Sequence, residues 1–154
     1  MTRGTVTVQG FTPRPSQREV LEHDARFKVL ACGRRWGKTI LGNNWLDEGA
    51  FNEGGENWWI SPTYAQSKLV FREKVAAAER GGAAAAFRDV SQSELRIQLR
   101  TGGVMHFKSG DNPINLRGPG LKRVVLDEAA FMARALWEEV LRPTLSDTRG
   151  KALI

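Results

Sequence analysis

Cysteine occurs once in the 154 residues, at Cys32, so no disulfide forms within the chain and the fold must hold without a covalent staple. Histidine is nearly as scarce. His23 and His106 are isolated, and no spacing of His, Cys and carboxylates suits a zinc centre, so both read as ordinary helix or strand residues. No stretch approaches the roughly 18 consecutive apolar residues of a membrane-crossing helix. The opening residues MTRGTVTVQG also lack the apolar centre of a signal peptide. These absences lead us to expect a soluble intracellular protein in a reducing compartment, with no membrane partner.

What is present is an ordinary globular composition, 41% hydrophobic and 26% charged, which argues against global disorder. A chain of this length buries roughly 70% of its extended surface as a single domain. Basic residues number 23 against 17 acidic ones, a formal charge of +6 that favours polyanionic partners such as DNA or RNA. Some of the arginines can equally serve a nucleotide site or keep the surface solvated.

The patterning alternates strands and helices. Pro13 and Pro15 lead into a helix from Ser16 to about His23, with Ser16 as its cap and Glu19 closing a capping box. Phe27 to Ala31 reads as a short buried strand, followed by a helix from Lys38 to about Ala50 despite Gly42 and Gly49. Trp58, Trp59 and Ile60 form a second buried strand. Tyr64 to Arg80 is the next helix, with Ala65, Leu69 and Ala76 along one face. Ala83 to Ala86 is a short turn or connection. Leu95, Ile97 and Leu99 alternate with polar residues and precede Thr101-Gly102-Gly103 and VMHF, a hairpin signal.

The stretch Ser109 to Gly120 reads as a loop. Arg123 to Leu126 is the clearest strand and ends on two carboxylates. A helix over Arg134 to Leu141 is ended or redirected by Pro143, and Lys151 to Ile154 opens a further strand. The predicted class is α/β: a P-loop NTPase of the RecA or ASCE kind, a mostly parallel sheet flanked by helices. Residues 1–26 form an N-terminal adenine-side segment and residues 27–154 a P-loop ATPase core. An open sheet whose sequence ends on a potential core strand reads as a partial module.

The chemistry concentrates in CGRRWGKT, Cys32 to Thr39, which matches GxxxxGK[ST] except that Cys32 holds the first glycine position and Gly33 follows it. GKT alone is common by chance. Its placement between a strand and a helix gives it weight, because such a loop turns backbone N–H groups onto β- and γ-phosphates at a helix N-terminus. Gly33, Arg34, Arg35, Trp36, Gly37, Lys38 and Thr39 are the nucleotide-binding candidates. Lys38 neutralises phosphate charge and Thr39 supplies a hydroxyl ligand to Mg²⁺. Asp127 is the second metal candidate, and Glu128 the group that orients or deprotonates the attacking water. The bland alternative for this pair is a capped or solvated strand end. Gln17 is read as an adenine contact, against the plainer reading of a solvated or capping glutamine. Arg117, in the glycine-rich NLRGPG, is a candidate arginine supplied to a neighbouring subunit, against a DNA-contacting or structural one. Trp58 and Trp59 read as core residues.

The ordered set PSQREVL, CGRRWGKT, WISPTYAQS (Trp59 to Ser67), LRG (Leu116 to Gly118) and VVLDEAAF (Val124 to Phe131) resembles the ATPase domain of the large terminase subunit of tailed bacteriophages. The resemblance spans nearly the whole chain. It implies an ATP- and Mg²⁺-dependent motor that packages double-stranded DNA through a capsid portal, usually as a five-membered ring. Its implied partners are DNA, the portal and the small terminase subunit, and its implied place is the host-cell cytoplasm, transiently at the procapsid. It also supports Gln17 at the adenine edge and Arg34 or Arg35 near phosphate. Large terminases normally add an RNase H-like nuclease domain and a coupling motif after the paired carboxylates, neither of which this sequence contains. A superfamily 2 helicase fragment shares similar motifs, and a catalytically silent nucleotide-binding assembly module is the alternative from another class.

Overall fold

The computed structural model describes residues 11–154; the polar opening segment read above, residues 1–10, lies outside the described residues. Among the described residues, seven strands form one sheet in the order β1-β7-β6-β2-β5-β4-β3. The strands are β1 (Phe27–Lys28), β2 (Glu56–Ser61), β3 (Phe87–Ser91), β4 (Arg96–Leu99), β5 (Val104–Ser109), β6 (Leu121–Leu126) and β7 (Lys151–Leu153). The four pairings from β1 through β7, β6 and β2 to β5 are parallel, and β4 and β3 add an antiparallel margin. The helices are α1 (Pro15–Glu22), α2 (Lys38–Asn52), α3 (Tyr64–Arg80) and α4 (Arg142–Ser146). A mostly parallel sheet flanked by helices is the expected class.

Alternation along the strands divides the core between the two sheet faces. Trp59, Val125 and Leu153 join Trp45, Leu46 and Phe71 of α2 and α3 on one face. Trp58, Ile60, Val124, Leu126 and Ala152 pack on the other, against Leu136, Val140, Leu141 and Leu145. Because both faces of β2 and β6 are covered, each carries a continuous apolar stretch, Trp58 to Ile60 and Val124 to Leu126. Each fully buried side chain of this size contributes roughly 1.5–3 kcal/mol. Gly42 and Gly49 fall on the side of α2 that meets the sheet. A Cβ there would overlap Trp59 and Arg123 respectively, so the loss of helix propensity is exchanged for close packing.

Several local expectations are corrected. The first helix begins at Pro15, so its cap is Arg14 and its box partner is Gln17, not Ser16 and Glu19. Proline's fixed φ suits the first helical position and moves the start forward. The FKVLA strand contributes only Phe27–Lys28 to the regular ladder, with Leu30 N–H still donating to the Ile154 carbonyl at 2.6 Å. Lying at the sheet edge, it leaves Val29 exposed. On α3 the buried residues are Ser67, Val70 and Phe71, whereas Leu69 is exposed.

The C-terminal helical segment is wound as a π-helix over Leu136–Leu141 before α4, and Arg142 N–H reaches back to the Trp137 carbonyl. Pro143, lacking an N–H, sits where the winding changes and redirects the helix without ending it. Strand β3 has no alternating signal in the sequence. A register shift between Phe87 and Asp89 breaks its alternation, so Phe87 and Val90 both reach the core while the sequence between them looks like charged loop. The tryptophan strand, the hairpin β4–β5 and the Lys151 strand are present.

Candidate functional site

The site lies beyond the C-terminal ends of the parallel strands, where open α/β sheets bind ligands. Strand β1 runs toward the loop Cys32 to Gly37, and α2 begins at Lys38 with Gly37 as its cap in a left-handed conformation, φ +93°. The Trp36 N–H donates to the Gly33 carbonyl at 3.4 Å, and Arg35 also has positive φ, 61°. The first hydrogen bond across the start of α2 is Leu41 N–H to Gly37 carbonyl at 3.0 Å. The N–H groups of Lys38, Thr39 and Ile40 therefore have no partner within the helix.

Asp127 leaves the end of β6 with its N–H bonded to the Ile60 carbonyl at 2.9 Å. Glu128 follows in a left-handed conformation, φ 55° and ψ 45°, which turns the chain sharply. Lys38 Nζ lies 3.7 Å from Glu128 Oε1. Lys38, Asp127 and Glu128 share a cleft of about 270 Å³ walled by apolar residues that include Val29, Leu30 and Ile154. Burial pushes the Asp127 carboxyl above its ordinary range, the neighbouring Glu128 adds to this, and Lys38 and the Glu128 N–H oppose it. The cleft thus holds two carboxylates against one lysine.

Gln17 is buried on α1 and faces the loop, not solvent. Its amide nitrogen donates to the Trp36 carbonyl at 3.1 Å, and its Oε1 accepts from Arg14 N–H at 3.0 Å. Arg14 Nη2 donates to the same Trp36 carbonyl. The sequence signals this position of Arg14 only by placing it immediately before a helix-starting proline.

The remaining candidates are less gathered. Thr39 borders a different cavity, about 340 Å³ between α2 and α3, near the Lys74–Asp47 ion pair of 2.6 Å. Gly33, Arg34 and Arg35 are exposed on the loop. Arg117 is exposed after a short 3₁₀ turn, in a loop whose Leu116 packs in the core opposite α2 and whose Gly118 lies against Trp58. The structure therefore joins Lys38 to Asp127 and Glu128, and Gln17 to Trp36 and Gly37, but does not bring Arg117 to either group. Among the described residues no cluster of three His, Cys, Asp or Glu side chains is placed to hold a metal, and no helix is long and apolar enough to cross a membrane.

A mostly parallel sheet with this strand-loop-helix turn is the architecture of the P-loop, RecA-like ATPases. No protein-family model matches the chain. It is 31% identical to the large terminase subunits of Thermus phage G20c and Thermus virus P23-45, in both cases over 94% of its own length and 33% of theirs. The solved ATPase domain of the Thermus phage P74-26 large terminase superimposes with a TM-score of 0.83 and 30% identity, covering 96% of this chain and 65% of that one. The HK97 large terminase shares the fold, with a TM-score of 0.75 at 14% identity over 95% of this chain and 33% of that one. The chain belongs to the phage large terminase family, matching its ATPase domain, and spans about a third of the length of the curated relatives.

Proposed function

We propose that the chain binds and hydrolyses ATP as the motor domain of a large terminase that packages double-stranded DNA. The observation that carries this reading is the convergence of Lys38, Asp127 and Glu128 in one cleft at the ends of β1 and β6. In it, the loop from Gly33 to Gly37 and the start of α2 receive the β- and γ-phosphates through backbone N–H groups. Lys38 faces the phosphates and exchanges Glu128 for them as a partner. Glu128, released, orients a water molecule for in-line attack and accepts its proton. Gln17 contributes to the adenine side, and Arg34 and Arg35 stand near the phosphates.

Asp127 is the cleft residue that would hold magnesium, and Thr39, next to Lys38 but bordering the adjoining cavity, would supply a hydroxyl ligand; the ion is content with one or two protein ligands when phosphates and waters supply the rest. Adjacent carboxylates of Asp127 and Glu128 in one cleft with a single lysine fit a place that gains from a cation. Bound there, the ion would supply screening of the triphosphate charge. Arg117 lies over the sheet face opposite α2 and is suited to a neighbouring subunit's site in a ring, not to its own. DNA, portal and small terminase subunit are the partners this reading entails.

Titration of the chain with MgATP, followed calorimetrically, tests the site. Lys38→Ala is expected to weaken binding by about 10- to 100-fold, the range of a lost charged hydrogen bond. Unchanged affinity would remove the phosphate-loop assignment. For the motor, ATP-dependent packaging by the gene product with portal and DNA should disappear in Lys38→Ala and Glu128→Gln; strand separation without packaging would indicate a helicase instead.

A further inference from the structure

We propose that Arg14 is a positioning residue of the nucleotide site: with Gln17 it latches the Trp36 carbonyl to α1 and thereby aims the Gly37 N–H into the phosphate loop. The inference rests on the phosphate-loop reading above and adds a residue and a cause to it.

The geometry is that of a single peptide plane. A carbonyl oxygen has two lone pairs, and the Trp36 oxygen is met by two donors, Arg14 Nη2 and Gln17 Nε2 at 3.1 Å. In a trans peptide the carbonyl of one residue and the N–H of the next point in opposite directions. Fixing the Trp36 carbonyl toward α1 therefore fixes the Gly37 N–H away from α1. This plane lies between Trp36 and Gly37, and Gly37, already at φ +93°, offers little resistance to a flip once the latch is gone. A flipped plane would present a carbonyl oxygen where an anion is to bind.

Two further features show that the contact is built in. Arg14 and Gln17 are also bonded to each other through the helix cap, Arg14 N–H to Gln17 Oε1 at 3.0 Å, so the start of α1 holds both donors in register. The approach is close enough to dictate the residue at 37. A Cβ there would lie 2.8 Å from Gln17 Nε2 and 3.3 Å from Arg14 Nη2, in addition to the strain of φ +93°. Gln17 is 4% exposed, so its amide is held, while Arg14 is exposed and can be changed without opening a cavity.

The test compares Mg²⁺ complexes of ATP and inorganic tripolyphosphate as ligands of the whole chain. Arg14→Ala is expected to weaken both by a similar factor, about 3- to 10-fold for one loop hydrogen bond. Arg14→Lys, which keeps a cationic donor, should recover most of the loss, and far-UV circular dichroism should be unchanged. The Gly37 amide cross-peak in ¹H–¹⁵N spectra should shift in Arg14→Ala and respond less to tripolyphosphate. Weaker ATP binding with unchanged tripolyphosphate binding would place Arg14 on the base side and overturn the latch. Unchanged affinity for both, with Lys38→Ala still weakening both, would overturn the latch and leave the phosphate loop standing. ATP binding indifferent to Lys38→Ala would overturn both together.

Discussion

The two ends of the sheet are built by different rules. From β1 through β7 and β6 to β2 the strands are parallel, and β2 and β6 are covered on both faces. Their free C-terminal ends meet Lys38, Asp127 and Glu128. At the other end, β4 and β5 are antiparallel and one-sided: Ile97, Leu99, Met105 and Phe107 are buried, whereas Arg96, Gln98, His106 and Lys108 lie on the half-buried opposite face. Parallel strands need crossover connections, which leave loops and helix N-termini gathered along one edge; a hairpin leaves only a tight turn. The candidate site belongs to the parallel end, and the antiparallel end completes the core beneath α3.

That division can be broken experimentally. Glu128→Gln should produce the largest change, a loss of steady-state phosphate release of about 10²- to 10⁴-fold in the active motor, as for removal of a general base, with nucleotide binding retained. A small effect would deny Glu128 its assigned role. In the antiparallel region, Phe107→Ala removes a buried ring that meets Phe71 edge-on at a centroid distance of 5.5 Å. It should lower unfolding free energy by about 3–5 kcal/mol in urea melts, with the folded fraction binding MgATP as before. Selective loss of nucleotide binding with normal stability would erase the functional distinction between the ends.

The smallest effect lies at the seam between β2 and β5. Glu56 accepts from His106 at 3.2 Å and from Trp58 Nε1 at 3.3 Å, and the His106 hydrogen bond, chiefly, holds its carboxyl below its ordinary range. A depressed carboxylate contributes stability above its unfolded value, near 4.5, and loses it as pH falls through the lower folded value. Urea melts between pH 6 and roughly pH 3 should therefore show a shallower acid decline in Glu56→Gln than in the parent chain. An identical decline would show that the seam carries no pH-linked stability.

Much of this was legible in the sequence because it is local. A strand that ends at glycines and basic residues, a GKT at a helix start, and an apolar run ending in Asp127 and Glu128 fix both element type and chemical character through spacing alone. The hairpin and the tryptophan strand were equally readable, since alternation and apolar runs report burial directly. What needed the tertiary structure was everything set by packing between distant segments. Leu69 is exposed because α3 turns Ser67, Val70 and Phe71 to the sheet, and β3 hides behind a bulge. Lys38 meets Glu128 only because β1 and β6 flank β7 in parallel. Arg14 and Gln17 reach Trp36 only because α1 folds back onto the loop. Residue spacing encodes which side chains share a face of one element; which faces then meet is decided by the burial and hydrogen bonding of the whole fold.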